Sequence, residues 1–532
     1  MTRTLFRDAR VFTAADPAWA EAFVVDGESI VFVGDADGAP DVDEVVDLAG
    51  RVVLPGFVDA HAHIVKTGDA LGQVGLTDAR SLEEIQRRLR AARAQAGGVV
   101  RGRGWLFDSV PGGAPTAAML DEAVRDVPVF LDANDYHSCW VNSAALETLG
   151  ITRDTPDPIG GRIGRHDDGT PDGLLYETAA QQYAWAHLDA QATDAQRDAA
   201  TDRIVEAYLA SGVTGAVDMS CDELDLAAFG RAASRDAMPL RIDAHWFIAN
   251  TGDDERNLAQ VARAVELARS ETPGVRILGI KLVLDGTIDA CTAAMRAPYA
   301  DGSNEGPIWP AERLLPVVAQ ADAAGLQIAM HAIGDAASSL ALDAIEHAVR
   351  ENGDRSRRHR IEHLEYAAPE TAARMARLGV TASMQPVHAD PAIFANWAAQ
   401  LGDDRVDRGF AWREYEDAGA ALAFSTDTPT APHEPLHNMY VAATRASALD
   451  PSVAAVQPEH AIPLERAIVH ATADAAASVG DGAWRGRIAR GFAADFVVLD
   501  RDPFSAGPAA LLEARVLRTV VAGRTRYAAD RA

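Results

Sequence analysis

Cysteine is scarce in this 532-residue chain: Cys139, Cys221 and Cys291 are far apart and in no Cys-x-x-Cys spacing. That excludes a disulfide framework and a zinc knuckle. No stretch reaches the roughly 18 uninterrupted apolar residues needed to span a bilayer. Residues 1–10 place charges ahead of any apolar run, so the hydrophobic segment of a secretory signal is absent there and a cytoplasmic location is expected. Positive charge is also short, with 49 Lys+Arg against 78 Asp+Glu and a formal charge of −29. Nucleic acid and anionic membranes, both polyanions, are therefore poor partners. A small-molecule substrate is expected, and a homo-oligomer is left open. Lysine itself is nearly missing: only Lys66 and Lys281 occur, so wherever a generic cation would serve the chain uses arginine. What is present, 48% hydrophobic and 24% charged residues, is ordinary globular composition and excludes disorder or a fibre.

Residues 5–12, 22–25, 29–33 and 42–48 read as short strands with turn signals such as Asp26-Gly27, and residues 494–499 and 515–521 repeat the pattern at the far end. These predict a small β-sandwich closed by both termini, residues 1–54 and 476–532. Between them, eight apolar runs (52–59, 213–219, 240–246, 279–284, 326–330, 360–364, 380–384 and 421–425) alternate with helical patterns. That alternation predicts an α/β fold, a (β/α)8 TIM barrel over residues 55–475. The stretch of about 66–211 is too long for one βα loop. It opens on a helix marked by a capping box, Ser81 with Glu84, carries Ile85 and Leu89 at helical spacing, and stops at Gly97-Gly98. A short strand at 129–132 and a Gly/Asp-rich stretch at 159–173 follow. The whole is read as an insertion after the first barrel strand, lying over the mouth.

The strongest local signal is Pro55-Gly56-Phe57-Val58-Asp59-Ala60-His61-Ala62-His63. Two histidines two apart at a strand end point to the same side, so both can reach one ion, although His-x-His alone also fits a hydrogen-bonded structural pair. His331, His363 and Asp427 each close a further apolar run. Active sites of such barrels lie at the C-terminal ends of the strands, so four strands deliver metal-ligand side chains to one face.

Lys281 sits in Gly279-Ile280-Lys281-Leu282-Val283-Leu284, among apolar neighbours. A buried ammonium is costly unless paired or chemically altered. Reaction with carbon dioxide to a carbamate would make it an anionic oxygen ligand, which arginine could not become. A buried salt bridge, for example with Asp285, is the alternative.

The nine-residue motif above, Lys281-Leu282-Val283-Leu284-Asp285-Gly286, His331-Ala332-Ile333-Gly334-Asp335, Arg360-Ile361-Glu362-His363 and Ser425-Thr426-Asp427-Thr428-Pro429 resemble the amidohydrolase superfamily. More narrowly they are similar to the branch that includes N-substituted formamide deformylases. Gly102-Arg103-Gly104-Trp105, His137-Ser138-Cys139-Trp140-Val141-Asn142-Ser143 and Ala493-Ala494-Asp495-Phe496-Val497-Val498-Leu499-Asp500 extend the match nearly end to end. The resemblance implies metal ligands at His61, His63, carboxylated Lys281, His331, His363 and Asp427. It also places Trp105, His137 and Trp140 in the insertion as candidates to line a substrate pocket. His388, after the seventh run, is a further candidate for touching substrate, whereas Lys66, His433 and His437 read as solvated or packing loop residues.

Together these predict a hydrolase for an amide-like C–N bond: an N-substituted amide, formamide, carbamate or cyclic amide. Its divalent metal would be zinc or similar, as one or two ions. Asp427 is expected as the catalytic proton shuttle, with His363 as the next candidate. An esterase or lactonase, a deaminase or a decarboxylase would use the same centre, and a non-catalytic binding protein would be expected to have lost ligands.

Overall fold

A computed structural model of the chain describes residues 2–94, 98–235, 238–270, 274–402 and 404–529. Strands from both ends of the chain share one eight-stranded sheet, in which Phe496–Leu499 lies antiparallel to Glu44–Pro55, itself parallel to Arg3–Phe12. Its apolar face packs Phe6, Phe23 and Phe496 against one another, with ring centroids 4.9 to 5.1 Å apart. The apolar run 52–59, expected as one barrel strand, is divided. Val52, Val53 and Leu54 pair with the C-terminal strand, and the first barrel strand begins at Phe57. Gly56 makes the break: a Cβ there would lie 2.3 Å from Thr214, and only glycine allows so close an approach.

The barrel strands are Phe57–Ala62, Val213–Cys221, Arg241–Phe247, Val275–Val283, Gln327–Ala332, Arg360–His363, Thr381–Met384 and Leu422–Phe424, each parallel to the next. Polar links draw the eighth strand to the first and nearly close the barrel. The Thr426 N–H donates to Asp59 Oδ1 (2.9 Å), the Asp427 N–H to the His61 carbonyl (2.9 Å) and the His63 N–H to the Thr428 carbonyl (3.0 Å).

Part of the stretch read as insertion belongs to the barrel layer. Helices Ile64–Ala70 and Asp194–Ala210 bury Ile64, Val65, Ile204 and Tyr208 in the barrel's own apolar cluster. Asp194–Ala210 starts with a full capping box, Thr193 with Gln196. The insertion proper lies between these helices and forms a six-stranded mixed sheet. Leu76, Ile85, Leu89, Trp105, Leu131 and Trp140 make its separate core. The helix Leu82–Arg93 has only half of the expected box: Ser81 Oγ accepts the Glu84 N–H, but the Glu84 carboxylate turns to Arg87 and Arg88. Gly97, half of the predicted stop, lies outside the described residues. The Gly/Asp-rich stretch 159–173 carries strand pairing, Gly161–Arg165 with Pro171–Glu177, around a turn at Gly169.

Candidate metal centre

His61 and His63, two apart at the end of the first strand, both turn their Nε2 atoms to Asp427 Oδ1, each at 3.3 Å. His363 adds Nδ1 at 3.8 Å from Asp427 Oδ2. His331 stands beside it, with ring centroids 4.3 Å apart, and the His61 ring is 4.9 Å from that of His363. Strand register sets these neighbours: Val283 pairs with His331, Lys281 with Ala329, and Ala332 with His363.

Adjacent residues on a strand point to opposite faces, so Glu362 and His363 should not both reach the centre. They do because His363 leaves strand geometry at φ 75°, followed by Leu364 at φ 53°. Asp427 likewise takes φ 55°. Such left-handed conformations cost about 1–3 kcal/mol each in non-glycine residues and cluster at working sites.

Each imidazole is held by a partner that fixes its free nitrogen. His61 Nδ1 lies 2.7 Å from Glu362 Oε2, leaving Nε2 for the centre. Glu362 is in turn gripped by Arg360 at 2.6 and 3.0 Å, and Arg360 also donates to the Ala60 carbonyl and Ser383 Oγ. Arg360 and Glu362 are both 0% exposed, so this charge pair lies wholly inside the barrel. His63 Nδ1 is 2.8 Å from Ser220 Oγ, and His331 Nε2 donates to the Gly286 carbonyl at 3.2 Å. His363 Nδ1 donates to Gln385 Oε1 at 2.9 Å, whose amide nitrogen donates on to Ser425 Oγ. Glu362, Arg360, Ser220 and Gln385 were not singled out from sequence. The one available signal was the charged pair Arg360 and Glu362 at period two in a run that the barrel pattern requires to be a strand.

Burial lowers His61 to about 4 and takes His331 and His363 well below the usual imidazole range, so all three are neutral and offer lone pairs. Burial would raise Asp427, but the surrounding histidines outweigh it and hold the carboxyl well below its usual range. Lys281, only 3% exposed, is brought down to about 8 by burial against the pull of Glu362 and Asp427. Among the described residues, His61 Nε2 and Asp427 Oδ1 are buried without a hydrogen-bond partner although they face each other. Buried polar atoms are rarely left so. Neutral imidazoles and a carboxylate with converging free lone pairs fit a divalent cation.

His388 Nε2 is 3.7 Å from Asp427 Oδ2 and 3.1 Å from Thr430 Oγ1, and its Nδ1 is 3.4 Å from Glu365 Oε1, so it stands at the centre's edge. His137 reaches the same edge from the insertion. Its ring is 5.1 Å from that of His331, and its Nδ1 is held at 2.6 Å by Glu177, which also accepts from Thr292 Oγ1. The other two insertion candidates stand elsewhere. Trp105 and Trp140 are 0% exposed in the insertion's core, and their indole N–H groups donate to the Leu131 and Thr116 carbonyls. Lys66, expected as a solvated or packing loop residue, lies instead in a helix, and it packs with Nζ 3.7 Å from the Trp185 ring centroid and 4.6 Å from that of Tyr136. His433 Nδ1 lies 3.6 Å from Glu434 Oε2 on the loop after the eighth strand.

A parallel β/α barrel with these donors at its C-terminal face defines a metal-dependent hydrolase. The chain belongs to the amidohydrolase family, whose profile matches residues 44–527. Protein LONG AFTER FAR-RED 3 of Arabidopsis thaliana is 32% identical over 91% of this chain and 83% of its own length. N-substituted formamide deformylase of Arthrobacter pascens is 29% identical, covering 98% of this chain and 99% of that protein. Among solved structures, an uncharacterized metal-dependent hydrolase from Pyrococcus horikoshii superposes with a TM-score of 0.75 at 25% identity, over 96% of this chain and 99% of the other. No helix among the described residues is long and apolar enough to cross a membrane.

Proposed function

We propose that this protein hydrolyses an amide-like C–N bond in a small molecule, an N-substituted amide, formamide, carbamate or cyclic amide. The observation that carries the proposal is the split role of the Asp427 carboxylate: Oδ1 faces His61 and His63, while Oδ2 faces His363 and His388. Oδ1 belongs to the donor set with His61, His63, His331, His363 and Lys281, for which we propose zinc or a similar ion, as one or two per chain, with Lys281 carboxylated. Such an ion lowers the pKa of water toward neutrality and polarises a carbonyl.

Oδ2 is left to accept a proton from the attacking water and return it to the departing nitrogen, which leaves poorly as an anion. His388 Nε2, at the edge of that oxygen, is placed to donate to substrate, and His137 reaches the same edge from the insertion. Neutral His363 is kept from the proton-transfer role by its own bond to Gln385. The full-length similarity to a deformylase that acts on N-substituted formamides supports the choice of a C–N bond. A cytoplasmic location and the residue sets 1–54 with 476–532 and 55–475 as separate domains complete the proposal.

The experiment is a panel of N-substituted formamides, amides and carbamates, each paired with the corresponding ester, given to metal-loaded protein with products analysed. Release of amine with the esters left intact supports the reading. Turnover of esters or lactones alone, loss of ammonia from a ring, or release of carbon dioxide without bond hydrolysis would each replace it.

A further inference from the structure

The face of the barrel opposite the metal centre holds a cavity of about 170 Å³ beneath the loop that joins the helix Asp335–Asn352 to the sixth strand. Arg355, Arg357, Arg358, His359, Gln327 and Asp322 line it. That is many times the roughly 10–15 Å³ needed to admit one water, and enough for a small polyatomic ion.

The charges around it do not balance. Asp322 takes two bonds from Arg357 (2.7 and 2.9 Å), with His359 Nε2 at 3.0 Å and the Asn352 amide at 2.8 Å, so its acceptor positions are filled. Arg355 spends its guanidinium on backbone carbonyls, those of Asp322 and Asn352, each at 3.0 Å. Arg358 makes no side-chain hydrogen bond or ion pair among the described residues, and Asp354, the other acid of the loop, pairs with none of these arginines. Three guanidinium groups therefore stand around a cavity whose lining holds one carboxylate, Asp322, and of the three Arg357 alone takes that carboxylate. Arg355 and Arg358 are exposed, so an anion entering from solvent would meet positive charge at the cavity's rim.

We infer that the base of the barrel carries a binding site for a small doubly charged oxyanion, a phosphate or a dicarboxylate. Guanidinium is the group suited to it, because its planar donor fork matches the oxygens of either ion. Arg357 is already oriented by Asp322, and Arg358 is the cation with nothing else to hold. Gln327 gives the site a floor. Its Oε1 is 2.9 Å from His245 Nε2 inside the barrel, and its amide nitrogen donates to the Ser478 carbonyl at 2.7 Å and to the carbonyl of Arg358.

The test is titration calorimetry on the metal-loaded full chain with inorganic phosphate and, separately, succinate, at ionic strength held constant with chloride. Saturable binding of at least one is expected, and which one binds tells phosphate from carboxylate chemistry. Arg358→Glu should raise the Kd at least about tenfold, the worth of one charge-assisted hydrogen bond, while Arg358→Lys should retain measurable binding. Since Arg358 holds no other side chain, unfolding of the ligand-free variant should match wild type, and that scan checks that the fold survives. No saturable heat with either ion, or a Kd unchanged in Arg358→Glu, overturns the inference. Phosphate bound only at the metal centre would give that unchanged Kd.

Discussion

Replacing Glu362 by Gln keeps the shape of the side chain and removes its charge, and the structure sets the consequence. Glu362 binds His61 Nδ1 at 2.7 Å on one side and Arg360 at 2.6 and 3.0 Å on the other, all three nearly or fully buried. Breaking a buried ion pair from one side costs about 3–5 kcal/mol, because the remaining charge is left uncompensated. Arg360 keeps the Ala60 carbonyl and Ser383 Oγ, which points to the lower end, about 3 kcal/mol. Loss of the carboxylate behind a metal-binding imidazole also weakens metal affinity by about 10–100-fold. Urea unfolding and competition with a chelator read the two effects separately. The Glu362 carboxyl is held well below its usual range, burial being outweighed by Arg360 and His61. Its stabilisation is thus complete above the unfolded carboxyl's pKa of about 4.3 and drains away as pH falls below it, a dependence the Gln variant should lack. The Arg360→Met, Glu362→Gln double variant should be more stable than Glu362→Gln alone. Wild-type stability and metal affinity in Glu362→Gln would refute this account of the barrel interior.

Lys281→Arg should abolish turnover although the charge is kept, and Lys281→Ala should regain activity with a short carboxylate; protein equilibrated with carbon-13 bicarbonate should show one carbamate resonance, which is lost in Lys281→Arg. Asp427→Asn should lower kcat by about two or more orders of magnitude with the fold retained, since the amide cannot accept the proton; unchanged kcat would move the shuttle elsewhere, His388 first. Trp105→Ala should cost about 3–5 kcal/mol through the cavity left in the insertion's core, read as a lower Tm; altered substrate preference at unchanged Tm would return Trp105 to the pocket.

The barrel was legible because most of its strands are apolar runs between helical patterns, and His331 and Asp427 because each follows such a run, whereas Lys281 stood out as the one charge inside its own. The run 52–59 misled because apolarity does not say which sheet a strand joins; Gly56 marks the change of sheet only through its contact with Thr214. Alternation along a strand would have turned His363 away from the centre, and nothing local announces the positive φ that brings it in. Trp105 and Trp140 match the branch motif, yet motif membership cannot separate a pocket wall from a core that supports one. His137, in the same motif, reaches the centre because Glu177, forty residues later, holds its ring. Arg360 and Glu362 are the reverse case: two opposite charges on a buried barrel strand have no visible purpose until His61, some three hundred residues earlier, is seen to pair with Glu362.

Elemental analysis of the purified protein bears most directly on the central claim that these buried donors hold a divalent metal. Wild type should carry about one ion per chain or more, zinc or a similar divalent metal, because the donors outnumber what one tetrahedral ion requires. The His61→Ala, His63→Ala double variant should lose it while remaining folded. A wild-type preparation fully active in amide hydrolysis and free of metal would contradict the account.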